Sequence, residues 1–181
     1  MMYILLSLAV GLVMLPYINA KCCSGECIGE FLVSGPNGVP DSNLTASSVL
    51  DIYHQPYRAR LGTPDNSFPE ERGAWVPLQQ NTEQWIQVDF GSVKRVSGVV
   101  TQGREELNSL QWVTEFRILY RENDEPFRAV TKNGIETFPG NDDKVTPVLN
   151  MFKSVKARFI RINPTAWFYI ALRFDVIGCE I

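Results

Sequence analysis

The stretch Trp85-Ile86-Gln87-Val88-Asp89-Phe90-Gly91 constrains this chain more than any other. Its strict alternation sends Ile86, Val88 and Phe90 to one face and Trp85, Gln87 and Asp89 to the other, the period of a half-buried strand. Gly91 and Ser92 then predict a turn, and residues 93–101, with Val96, Val99 and Val100, predict a second strand beside the first in an antiparallel sheet. Similar β-rich runs cover 116–120, 157–162 and 169–177, separated by Gly, Pro, Asn or Asp. The expectation is a mostly β chain.

Residues 1–20 carry no charged side chain, and the apolar run 4–15 is too short to span a bilayer. Pro16 interrupts it and Ala20 offers a small residue for cleavage, so 1–20 reads as a secretory signal peptide. A buried N-terminal helix is the alternative. The remainder of the chain is long enough for one domain with one core, at 45% hydrophobic residues overall. The formal charge of −3 and the absence of long Lys/Arg runs exclude an electrostatic footprint for nucleic acid.

Export makes disulfides the expected state of the four cysteines, Cys22, Cys23, Cys27 and Cys179. Adjacent cysteines bridge each other only with strain, so Cys22 and Cys23 are candidates for links between subunits, with a vicinal or another intrachain pairing as alternatives. Zinc fits poorly, because His54 is the single histidine. Asn43-Leu44-Thr45 is a glycosylation sequon. Residues 49–60 mix apolar, aromatic and polar side chains without a clean period and read as a projecting loop. The chain shows no Gly-x-Ser-x-Gly elbow, no His-Glu-x-x-His and no phosphate loop, so no catalytic role is expected. Paired carboxylates such as Glu105 and Glu106 read as solvated surface.

Taken in order, Thr45-Ala46-Ser47-Ser48, Ala59-Arg60-Leu61, Ala74-Trp75, the 85–91 strand, Thr101-Gln102-Gly103, Gly140-Asn141-Asp142, Phe159-Ile160-Arg161-Ile162 and Leu172-Arg173-Phe174-Asp175-Val176-Ile177-Gly178-Cys179 resemble the discoidin domain, also called the coagulation factor V/VIII type C domain. The resemblance runs over 27–179, leaving 21–26 as a short cysteine-containing segment. It implies an all-β fold, an eight-stranded antiparallel jelly-roll barrel of the galactose-binding type, closed by a disulfide between Cys27 and Cys179. Joining ends so far apart in sequence is worth about 5 kcal/mol at most.

The resemblance also implies binding through spike loops projecting from one end of the barrel, here 49–57, 77–84, 104–111 and the turn at 164–168. Lipid-binding members insert apolar spike residues into the membrane, a role open to Leu50, Ile52, Tyr53, Tyr57, Leu107 and Leu110, with Arg58 and Arg104 for phosphatidylserine. The acidic balance opposes attraction to an anionic leaflet. The first spike has the length found in members that capture peptides ending in arginine, but Gln80 stands where the pocket acid would be, and Leu50 and His54 where its aromatics would be. Carbohydrate recognition would draw on Tyr53, His54, Gln79, Gln80, Asn81, Asn108 and Trp167. Trp75, Trp85 and Trp112 are assigned to the scaffold. Calcium near Asn141-Asp142-Asp143 competes with a simple Asx turn there. The expected function is secreted, non-catalytic recognition or cell adhesion towards a glycan, phospholipid head group or receptor, made multivalent by a disulfide-linked homo-oligomer. The alternatives are a self-associating matrix or coat component and a phosphatidylserine-binding surface protein.

Overall fold

The computed structural model describes residues 29–65, 72–106 and 110–181. Eight strands occur in the order β1 (Glu30–Phe31), β2 (Leu44–Ala46), β3 (Ile86–Gln102), β4 (Val113–Arg121), β5 (Arg128–Ala129), β6 (Thr137–Pro139), β7 (Val148–Trp167) and β8 (Arg173–Cys179). All strand pairs are antiparallel, running β1-β8-β3-β7-β4-β5, with β2 added to β3 and β6 to β4. Asp41–Asn43 and Pro56–Ala59 form single 3-10 turns.

Two long strands explain how one sheet encloses a core. The first part of β3 lies between β2 and β7, whereas its second part lies between β8 and β7. Between them the register with β7 slips, from Asp89 to Lys94, around Gly91 at φ 74°. That left-handed conformation suits a glycine, and the resulting bulge bends the strand. The turn expected at Gly91 and Ser92 is therefore a kink: the two halves continue each other rather than pairing. β7 likewise runs through Pro164, which pairs with Phe116 beside a register shift. A proline lacks the ladder donor and is tolerated at such a bulge. The turn expected at 164–168 consequently begins later, at Phe168, and the strand expected from 169 starts only at Arg173.

The alternation in the first half of β3 is realised, with Ile86, Val88 and Phe90 buried. They join Val96, Val99, Ile118, Ile160, Ile162, Phe174 and Val176 in one core, where each large aliphatic side chain contributes about 1.5–3 kcal/mol. Phe138 stacks on Phe116 at 6.1 Å and meets Phe152 edge-on at 5.9 Å. The chain ends are joined: Glu30 and Phe31 pair with Gly178 and Ile177. Gly29 approaches so closely that a Cβ there would lie 2.0 Å from the Gly178 carbonyl oxygen. Cys179 is held in a disulfide; the Cys27 assignment, with Cys22, Cys23 and the signal peptide, falls outside the described residues.

Buried polar side chains fasten loops that no ladder joins. Arg173, fully buried, donates from Nε to the Gly103 carbonyl at 2.6 Å, from one terminal nitrogen to Thr63 at 2.9 Å and from the other to Lys144 at 3.1 Å. One side chain thus holds three loops. Asp175, two residues on, accepts from the backbone N–H groups of Val33, Ser34 and Val176.

A rim of four loops

The loops after β2, before β3, after β3 and after β7 are tied to one another. The hub is Ser47-Ser48. Both hydroxyls donate to Gln84 Oε1, at 2.8 and 2.7 Å, while Gln84 Nε2 donates to Asn81. The Ser48 carbonyl accepts from Trp75 Nε1, and its hydroxyl oxygen accepts from the Leu78 N–H. Backbone bonds join Leu50 to Val76 and Trp75 to Leu172. Gln80 Oε1 accepts from the Ile170 N–H at 2.5 Å. The Phe168 N–H donates to the Trp112 carbonyl, and the two rings meet at 4.7 Å. The buried amide of Gln84 is thereby satisfied on both its oxygen and its nitrogen, which a buried polar group requires.

The same loops present apolar side chains outward. Ile52 is 71% exposed, Phe168 62%, Leu78 61% and Leu110 59%, with Leu50 and Tyr57 less so. Leu50 and Ile52 belong to the loop at 49–57 and Leu110 to that at 104–111. Leu78 and Phe168 were not singled out by sequence, although Leu78 sits inside the second spike. The signal at 167–168 was ambiguous, since two adjacent aromatics at a strand end take opposite faces. Trp167 packs against the core, and Phe168 is the one presented. Tyr57 borders a hollow of about 470 Å³ between β2 and the first spike.

Other candidates hold the rim rather than face outward. His54 is buried, with Nδ1 2.7 Å from Asp51 Oδ1 and Nε2 without a partner among the described residues. Burial pushes its imidazole below the ordinary range despite Asp51, so the neutral ring donates to the carboxylate. Burial alone would raise Asp51, but bonds from His54 and Tyr53 outweigh it and hold that carboxyl low. Arg104 is also buried, donating from Nε to Asp65 at 2.8 Å and from a terminal nitrogen to Gln111 at 2.9 Å. It closes the neck of the third spike and is not free for a head group. Arg58 is half-buried, with its Nε on the Arg72 carbonyl. Gln80 and Tyr53 are half-buried, Gln79 is exposed and Asn81 half-buried. Leu107 and Asn108 lie outside the described residues.

Asn43 is half-buried, and its Nδ2 donates to the Asp89 carbonyl at 2.8 Å. At 141–146 the Asx turn holds: Asp143 Oδ1 accepts from the N–H groups of Val145 and Thr146, and Oδ2 from the Thr146 hydroxyl. Those hydrogen bonds hold the Asp143 carboxyl below its ordinary range. No group of three or more His, Cys, Asp or Glu among the described residues is arranged to hold a metal ion. No helix among them is long and apolar enough to cross a membrane.

An all-β fold of eight antiparallel strands with loops gathered into a rim is shared with a known family. The F5/8 type C domain model matches residues 43–176, and the chain belongs to that discoidin family. It is 36% identical over 148 residues to coagulation factor VIII of Homo sapiens, covering 78% of this chain and 6% of that protein. It is 34% identical over 154 residues to lactadherin of Bos taurus, covering 79% and 35%, and 33% identical over 172 residues to neuropilin-1 of Gallus gallus, covering 90% and 18%. This chain therefore spans a minor part of each of these relatives. Among solved structures, discoidin II of Dictyostelium discoideum superposes with TM-score 0.69 at 24% identity, covering 77% of this chain and 56% of that one. A chitosan-binding module complexed with chitotriose shares the fold at TM-score 0.53 and 19% identity, covering 75% of this chain and 95% of that one.

Proposed function

We propose that this chain is a secreted, non-catalytic recognition protein that docks on cell surfaces by inserting the rim into the lipid interface. The observation that carries the reading is the set of exposed apolar tips, Leu50, Ile52, Leu78, Leu110 and Phe168, carried by four loops braced from beneath. Each tip transferred from water into acyl chain contributes about 1.5–3 kcal/mol. The rim's charges do not favour an anionic surface strongly. Asp51, Glu83 and Glu105 are exposed there and Arg104 is neutralised by Asp65, so apolar insertion dominates and phosphatidylserine adds little.

A single rim binds weakly, and adhesion then depends on several rims acting together. Cys22 and Cys23 are the proposed links between copies, raising avidity by about two to four orders of magnitude. The test pairs vesicle sedimentation with a glycan array, using the mature protein under reducing and non-reducing conditions. Binding to phosphatidylcholine vesicles, strengthened in the non-reduced oligomer and silent on the array, supports the proposal. Glycan-selective binding without vesicle binding would replace it with a lectin, and silence in both alongside assembly would replace it with a matrix component.

A further inference from the structure

The barrel wall carries an arrangement that the rim does not use. Trp85 precedes β3, Phe159 and Arg161 point outward from β7, and Arg121 ends β4 opposite Phe159. Phe127 comes from the segment between β4 and β5. Guanidiniums and rings alternate: Arg161 lies 3.9 Å from the Trp85 ring centre and 4.1 Å from that of Phe127, and Arg121 lies 4.7 Å from Phe127 and 4.5 Å from Phe159. Arg158 continues the series at 4.9 Å from Phe159.

The charges along this series are unequal. Arg158 has its own counterion, a two-point ion pair with Asp89 at 2.8 Å on both oxygens. Among the described residues the acceptor of Arg161 is neutral, Gln87 Oε1, at 3.0 and 3.3 Å. Arg121 has no acceptor among the described residues, and its Nε is buried and unpaired. Burial and the neighbouring Arg121 both pull Arg161 down from its ordinary value. Two guanidiniums sharing one phenylalanine ring without a carboxylate between them are unfavourable by desolvation and by like-charge repulsion. With the rings against the guanidiniums and Gln87 on Nε and one terminal nitrogen of Arg161, the donors left for an oxyanion are the other terminal nitrogen of Arg161 and the nitrogens of Arg121.

We propose that Arg121 and Arg161 form a binding site for one compact oxyanion, a carboxylate, sulfate or phosphate group, on the barrel wall beside the rim. A single group fits better than a polyanion. Glu122, Asp124 and Glu125 on the adjoining segment, the last two exposed, repel an extended negative chain. The site is independent of lipid docking.

The test is a titration of the intact protein with sodium sulfate, sodium phosphate or sodium acetate, against sodium chloride at equal ionic strength, following the Arg121 Nε–H resonance by NMR. A saturable shift with at least one oxyanion and none with chloride is expected, and the strongest of the three names the group. Arg161→Gln should weaken that affinity about tenfold, as loss of a charge-assisted contact does, while Arg128→Gln leaves it unchanged. As a second readout, saturable quenching by the same anion should disappear in Trp85→Phe. No saturable shift, an equal shift with chloride, or unchanged affinity in a folded Arg161→Gln protein would overturn the proposal. Should Arg161→Gln fail to fold, Phe127→Leu serves instead, with a several-fold loss expected and no change contradictory.

Discussion

The rim and the wall solve opposite problems. At the rim, where few ladder bonds fix the backbone, Gln84, Ser47, Ser48 and Gln80 bond loop to loop, and apolar tips stand exposed beside Asp51, Glu83 and Glu105. On the wall the ladders of β3, β7 and β4 already fix the backbone, so side chains are free to assemble on each other. There the aromatics lie among arginines, and the exposed chemistry is cationic. One fold thus presents two surfaces of contrasting polarity, an apolar edge suited to an interface and a charged face suited to an ion. Exposed character thus follows from which groups are needed to hold the backbone.

The largest effect should come from breaking the anchor that Arg173 supplies to three loops. Arg173→Met leaves the carbonyls of Gly103, Thr63 and Lys144 without their donor, and about 3–5 kcal/mol of stability should be lost on urea denaturation. Next, Ile52→Ser with Phe168→Ser should lower vesicle partitioning by about a hundredfold with little change in melting temperature. Arg161→Gln, on the wall, should leave partitioning intact, which sharpens the contrast. Phe127→Leu removes two cation–π contacts and should cost about 1–2 kcal/mol, with no effect on vesicles. The smallest effect concerns His54. Its folded value lies below that of the unfolded chain, so its contribution is complete above the ordinary histidine range and is lost as pH falls through that range towards the folded value. Stability curves between about pH 7.5 and 5 should show this decline, and His54→Gln should flatten it.

Sequence made the core face legible, since Ile86, Val88 and Phe90 obey a period that only a strand satisfies. Strand ends were less legible. Gly91 and Pro164 are turn residues by habit, yet in long bent strands they sit at bulges, and only pairing partners distant in sequence distinguish the two cases. The resemblance pointed to the loops that carry Leu50, Ile52 and Leu110, whose side chains are exposed. The inward roles of His54 and Arg104 were not, because a polar side chain in a loop looks the same whether it meets Asp65 or solvent. The wall was invisible for a related reason. Trp85, Arg121, Phe127 and Arg161 become neighbours only once three strands are in register.

Entry of the rim into the lipid interface can be read from Phe168→Trp bound to vesicles whose acyl chains carry bromine. Quenching of the added tryptophan beyond that of the unsubstituted protein, with reduced access to aqueous acrylamide, is the result predicted. Vesicle binding with the added emission untouched by bromine and still open to acrylamide would contradict it.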